Sequence, residues 1–232
     1  MREILGILLI ITAYTCVAIF LLRILWRIML LFRVSGKHDS QDTRASKITP
    51  ISVLKVIRDV LFLYRLFRVN KPLWIGEWVF HCALLLVLLR HLRYFLYPVP
   101  DWVISIQQAG LYSGYVLPIS LIYILIIKFG IEKKRYFSSY NFFLLMVLFL
   151  SSITGILMQT VIRADIVEIK HFVLSALIFK SVLAPKSTLF VIHFIISLIF
   201  LAYLPVHIFA APYTLMDAQK REDGLKLMIY EN

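Results

Sequence analysis

Five stretches of about twenty residues, almost free of charge, recur along this chain and constrain it more than any other feature. They read as spans over residues 4–22, 73–97, 102–127, 140–162 and 188–211. A helix needs roughly 20 apolar residues to cross the ~30 Å hydrocarbon core of a bilayer. Inside lipid every backbone N–H and C=O must be paired within the spanning structure, which favours helices. The expected fold is all-α and integral to the membrane, a single domain over residues 1–232. Composition agrees. Of 232 residues 61% are hydrophobic and 16% charged, where a soluble domain carries about 25% charged residues. A soluble enzyme, a disordered chain and a disulfide-stapled secreted domain are excluded. Cys16 and Cys82 both lie in apolar runs and form no CxxC, so the chain offers no cluster or thiolate metal site of its own.

The segments between the spans have their own character. Arg2 and Glu3 cancel at the start and no small-residue cleavage site follows, so the first run reads as a span, not a cleaved leader. Residues 33–49 are polar and read as a loop, with His38 solvated in it. Residues 51–69 read as one amphipathic helix lying flat on the membrane, with Lys55, Arg58, Arg65 and Arg68 facing lipid phosphates. Pro98 and Pro100 end the second span, and Pro118 is expected to kink the third. The semi-apolar stretch 171–183 is too short to cross and reads as interfacial or re-entrant.

Eighteen of the 25 Lys and Arg fall on one side of this arrangement, in 23–71, 128–135 and 220–226. Seven fall on the other: Arg2, Arg90, Arg93, Arg163, Lys170, Lys180 and Lys186. Positive charge is retained in the cytoplasm, so the N-terminus is expected outside, with the tail 213–232 cytoplasmic. The net charge of +12 therefore reports topology. It forms no aromatic-interleaved basic face for nucleic acid.

Chemistry resides in four of the six histidines. His81, His91, His193 and His207 lie within two spans, where ionisable residues are costly and usually functional. His81 and His91 are ten residues apart, about 15 Å along a helix and about 80° around it. His193 and His207 are fourteen apart, about 21 Å along and about 40° around. The two spans run in opposite directions, so depths match crosswise: His81 with His207 toward the cytoplasm, His91 with His193 toward the outside. Two such pairs suit two bis-histidine b-type haems, and without CxxCH there is no covalent c-type attachment. The alternative is a haem-free anchor or transporter whose histidines pack or relay protons.

The stretches WIGEWVFHCALLLVLLRHLRYF (74–95) and VIHFIISLIFLAYLPVHIF (191–209) resemble the respiratory nitrate reductase gamma-subunit family. Within it they are most similar to the DsrM-type dihaem cytochrome b of DsrMKJOP, Hmc and heterodisulfide-reductase-like complexes. The resemblance covers the second to fifth spans. It implies five helices, N-terminus outside, and two b haems ligated by His81, His91, His193 and His207. The spacing on the last helix is shorter than in the nitrate reductase subunit and favours the DsrM-like branch. The resemblance further implies electron exchange between a quinone pool, menaquinone in this setting, and a cytoplasmic iron–sulfur subunit of heterodisulfide-reductase type. A periplasmic cytochrome c and another membrane subunit are further partners it suggests. A hydrogenase or formate dehydrogenase cytochrome b is a rival with haems.

Around the expected ligands, Arg90 and Arg93 could pair with haem propionates or a quinone carbonyl, or snorkel to the interface. Tyr94, Gln107, Gln108 and Tyr112 are further candidates for the quinone site that the resemblance implies near the outer haem. Gln107 and Gln108 have the simpler alternative of bonding within the bundle. Gly76, Gly110, Gly114 and Gly155 could admit a porphyrin, with close helix packing the simpler account of each. Pro205 is expected to bend the fifth span and aim His207. His171 reads as an interfacial histidine. Glu77, one turn before His81, faces water or a partner. The tail from Asp217 could dock a soluble subunit.

Overall fold

A computed structural model describes residues 1–38, 50–131, 139–180 and 182–206. Among them there is helix and no strand. Helix α1 is Arg2–His38, α2 Pro50–Phe62, α3 Tyr64–Val69, α4 Lys71–Phe95, α5 Asp101–Ser105, α6 Gln107–Ile131, α7 Ser139–Thr160 and α8 Ile166–Leu177. The last, α9, is Thr188–Val206. Five are long and apolar enough to cross a membrane: Arg2–Leu30 of α1, α4, Gln107–Gly130 of α6, α7 and α9. The chain is a multi-pass membrane protein. At 1.5 Å per residue α1 is about 55 Å long, well beyond the hydrocarbon core.

Several expected boundaries move. The second span ends at Phe95 and not at residue 97, because Pro98 and Pro100 follow and the residue before a proline avoids helical geometry. The third is broken: α5 ends at Ser105 and α6 begins at Gln107. The single amphipathic helix expected over 51–69 is two, since Leu63 adopts φ 48°, ψ 39° between α2 and α3. Helix α6 continues through Pro118. The loop expected over 33–49 begins as helix instead, since α1 continues through Arg33 to His38; residues 39–49 and the tail with His207 lie outside the described residues.

The chain divides into two compact units. The first comprises Met1–Cys16 and Pro72–Phe200. Within it, the start of α1 is bound to α8 and the segment before α9. Arg2 donates from Nε to the Ala184 carbonyl at 3.0 Å and from Nη2 to Glu168 Oε1 at 2.5 Å. Glu168 in turn accepts the Lys186 N–H at 3.0 Å. Asp165 caps α8 by accepting the Val167 and Glu168 N–H groups. Leu9, Ile169, Phe172, Val173, Ala184 and Phe190 form the apolar cluster beneath these polar contacts. Gly6 is required there: a Cβ would collide with the Val182 carbonyl and stand 2.9 Å from Ala184 N. The stretch expected to be interfacial is thus mostly α8, capped and packed, and its 12 residues reach only about 18 Å. Phe179 follows it at φ 58° and stacks on Tyr14 with ring centres 4.6 Å apart. The Tyr14 hydroxyl donates to Ala176.

Helices α4 and α6 approach closely in the same unit, at two glycines. A Cβ on Gly76 would lie 2.7 Å from the Tyr123 ring, and one on Gly110 would lie 2.6 Å from Arg90 Cβ and 2.9 Å from the Leu86 carbonyl. Lipid supplies no hydrophobic drive between helices, so such close van der Waals contact is what holds them. These two glycines serve helix packing and give no room to a porphyrin.

The second unit comprises Val17–Lys71 and the chain from Leu201. Asp59 is 4% exposed and accepts from Arg58 Nη2 at 3.0 Å and Arg65 Nε at 2.9 Å. The Arg58 guanidinium also lies 3.9 Å over the Tyr64 ring. Two of the four cations expected to face lipid phosphates are therefore held by a carboxylate across the α2–α3 bend. Arg23 of α1 donates to the Ala202 carbonyl at 2.8 Å.

Candidate functional site

The site is built from α4, α7 and α9 in the first unit. His91 and His193 have ring centres 6.3 Å apart and planes 16° apart. That is too far for face-to-face contact. It is close to what a metal between two imidazole nitrogens imposes: about 2 Å per metal–nitrogen bond and about 1 Å from each nitrogen to its ring centre.

Each ring has its other nitrogen occupied. His91 Nδ1 donates to the Val87 carbonyl at 2.7 Å, one turn back on α4. His193 Nδ1 lies 2.9 Å from Thr154 Oγ1 on α7. In both cases Nε2 is left to act as a ligand, which is how ligating histidines are normally oriented. Gly155 faces the His193 ring, where a Cβ would stand 3.5 Å from Cε1. Among the described residues there is no cluster of three or more His, Cys, Asp and Glu that could hold a metal ion. A two-ligand centre such as a bis-histidine haem needs none, so the residues present fit that group.

His81 makes the same bond as His91, from Nδ1 to the Glu77 carbonyl at 2.6 Å, and meets Phe80 edge-on with ring centres 4.9 Å apart. Its expected partner His207 lies outside the described residues. His171 is exposed on α8.

The polar residues beside His91 separate into two groups. Arg93 Nη1 donates to Gln107 Oε1 at 3.1 Å and Nη2 to the Tyr94 hydroxyl at 2.9 Å. Its Nε is buried without a hydrogen-bond partner. Gln107 completes the link by donating to the Val103 carbonyl at 2.9 Å and to the Arg90 carbonyl at 3.4 Å. Arg90 Nη2 donates to Gln159 Oε1 on α7 at 3.2 Å. Tyr112 is 67% exposed and Gln108 is also exposed; neither joins this group. Gly114 has open space where a Cβ would point. At the other end of α4, Glu77 pairs with Lys128 at 3.0 Å, and the Tyr123 hydroxyl donates to the Pro72 carbonyl at 3.1 Å.

Sequence reasoning missed Thr154, Gln159 and the role of Lys128. The signal was there for the first two: Ser151, Ser152 and Thr154, then Gln159, interrupt an otherwise apolar run, and hydroxyl or amide groups in lipid must find partners. No spacing rule could connect Thr154 to His193, 39 residues away.

No family model and no solved structure matches the chain. It is similar to two archaeal proteins, each described as an Hdr-like menaquinol oxidoreductase cytochrome b-like subunit. The one from Archaeoglobus profundus is 31% identical over 156 residues, 59% of this chain and 45% of that protein. The one from Archaeoglobus fulgidus is 30% identical over 162 residues, 61% of this chain and 49% of that protein. The chain thus spans about half the length of the curated relatives it matches. Both descriptions are consistent with the resemblance to DsrM- and Hdr-like membrane cytochromes b, and with a multi-pass protein of a prokaryotic plasma membrane.

Proposed function

We propose that this chain is the dihaem b-type cytochrome subunit of a membrane complex, carrying electrons between a menaquinone-type pool and a cytoplasmic iron–sulfur partner. The observation that carries the reading is the His91–His193 pair, 6.3 Å between ring centres with planes nearly parallel and each Nδ1 already engaged. A b haem held there supplies reversible one-electron transfer. His91 and His193 would hold it, and by the histidine spacing along the sequence His81 and His207 would hold a second.

Electrostatics supports an anionic group beside the first pair. Among the described residues neither Arg90 nor Arg93 pairs with a carboxylate; their partners are the neutral side chains of Gln159, Gln107 and Tyr94. Two cations on consecutive turns of a membrane helix, one with a buried unpartnered N–H, favour propionates or a reduced quinone oxygen nearby. Gln107 and Tyr94 orient Arg93 toward such a group. Tyr112 is left out of the proposed quinone site, since it stands clear of this network.

The orientation follows from the cation count, with the Arg93 end of α4 outside and the Glu77 end cytoplasmic. The packing agrees with that alternation: Arg2 is joined to the 165–186 region, and Glu77 to Lys128, as shared sides require. The relatives' descriptions support menaquinol and an Hdr-like complex; dissimilatory sulfur metabolism is the setting proposed from the DsrM-like resemblance.

The test is a pyridine haemochrome count on purified protein with a reduced-minus-oxidised spectrum. Two b haems per chain are expected, falling to one in His193→Ala and also to one in His81→Ala. Wild-type protein without haem would overturn the reading and leave the transporter or anchor.

A further inference from the structure

We propose that Thr154 is a positioning residue for His193, its hydroxyl accepting the Nδ1 hydrogen and so fixing the tautomer in which Nε2 carries the free lone pair. This rests on the bis-histidine reading and extends it to an electronic control on one ligand.

The number of hydrogens available fixes the direction of this bond. A threonine hydroxyl has one hydrogen and two lone pairs. Thr154 Oγ1 lies 2.9 Å from the Leu150 carbonyl and 3.0 Å from the Ser151 carbonyl, both on its own helix α7. Carbonyls only accept, so the single hydrogen is committed to them, in the back-bonded arrangement common for threonine in helices. The side of the oxygen that faces His193 Nδ1, at 2.9 Å, must then receive a hydrogen. β-Branching restricts the side chain to few rotamers, which holds the acceptor in place.

The surroundings keep α9 in register with this acceptor. Ser197 Oγ donates to the carbonyl of His193 itself at 2.8 Å and approaches Ser151 Oγ at 3.4 Å. Gly155, next to Thr154, leaves the ring room: a Cβ would already touch Cε1 at 3.5 Å, and a larger side chain would displace the ring.

The two ligands differ in a way that gives Thr154 its meaning. The His91 Nδ1 acceptor is a backbone carbonyl on the same helix, which no side-chain change removes. For His193 the acceptor within 2.9 Å of Nδ1 is a side chain on another helix, with the Ser151 carbonyl of that helix also near the ring. An acceptor at Nδ1 raises the basicity of a ligating imidazole and so favours the ferric state of the iron it would hold. Removing the acceptor should raise the midpoint potential of that haem alone.

The experiment compares wild type, Thr154→Val and Thr154→Ser by haem count, potentiometry followed in the α-band, and low-spin electron paramagnetic resonance. Valine keeps the shape and deletes the acceptor; serine restores it. Two haems in Thr154→Val, with one midpoint moved positive, its resonance altered and both returned by Thr154→Ser, is the expected result. Loss of one haem in Thr154→Val with retention in Thr154→Ser supports the same conclusion. Haem-replete Thr154→Val with midpoints and resonances as in wild type overturns the proposal while leaving the haem reading intact, as does loss of a haem in both variants. Wild type without haem removes both.

Discussion

The two ends of α4 share one helix and one kind of side chain, a histidine bonded back to the carbonyl one turn earlier, but have opposite electrostatics. At one end Glu77 neutralises Lys128 at 3.0 Å, one turn from His81. At the other, Arg90 and Arg93 flank His91 and, among the described residues, bond to neutral amides and a phenol. Each end also meets α6 through a glycine, Gly76 against Tyr123 and Gly110 against Arg90. Packing is therefore repeated along the helix while charge is not. An end whose cations are already balanced needs nothing further, whereas unbalanced cations at membrane depth are retained where something anionic will meet them.

The largest expected effect tests the part the two ends share. Gly110→Leu would drive a side chain into Arg90 Cβ and the Leu86 carbonyl, and overpacking costs about 1–3 kcal/mol or more when backbone is the obstacle. Loss of folded protein in a detergent melting assay is expected; wild-type stability would mean that the α4–α6 approach is looser than described. Gly114→Leu, with open space at that position, is the matched control and should melt as wild type.

Arg93→Gln separates the ends by charge. Removing a cation roughly 10 Å from a redox centre, at an effective dielectric near 20, changes the relevant energy by about 1–2 kcal/mol. One haem midpoint should fall and the other should hold. Two unmoved midpoints would mean that Arg93 serves only its hydrogen bonds to Gln107 and Tyr94.

The smallest effect belongs to the balanced end. A double-mutant cycle of Glu77→Gln and Lys128→Met should return a coupling of about 0.5–1 kcal/mol, as for a partly exposed ion pair. A coupling of several kcal/mol would show that this pair is as desolvated as the arginine end, and the two ends of α4 would not differ as stated.

Several features were legible in the chain because they depend on local spacing. Five apolar runs of bilayer length give five membrane helices. His91 and His193 could be matched by depth because rise per residue is fixed in a helix. The alternation of sides follows from counting spans, and Arg2 meets Glu168 as it requires. The errors also have local causes. Residues 51–69 keep one amphipathic period through Leu63, and a single left-handed residue leaves no trace in that period. The basic face drawn there did not anticipate that Asp59 would draw in Arg58 and Arg65.

What the sequence determined by itself, then, is which segments cross, which ends share a side and that His91 and His193 stand at one depth. Those are consequences of helix geometry and of the cost of polar groups in lipid, and both act along the chain. Tertiary structure decided the rest. It turned Thr154 of α7 onto His193 of α9, paired Arg93 with Gln107, and set Gly76 of α4 against Tyr123 of α6 and Gly110 of α6 against Arg90 of α4. Such contacts depend on helix rotation and on which helices become neighbours. In lipid that choice is made by close packing and interhelical hydrogen bonds, and neither leaves a period to read in the sequence.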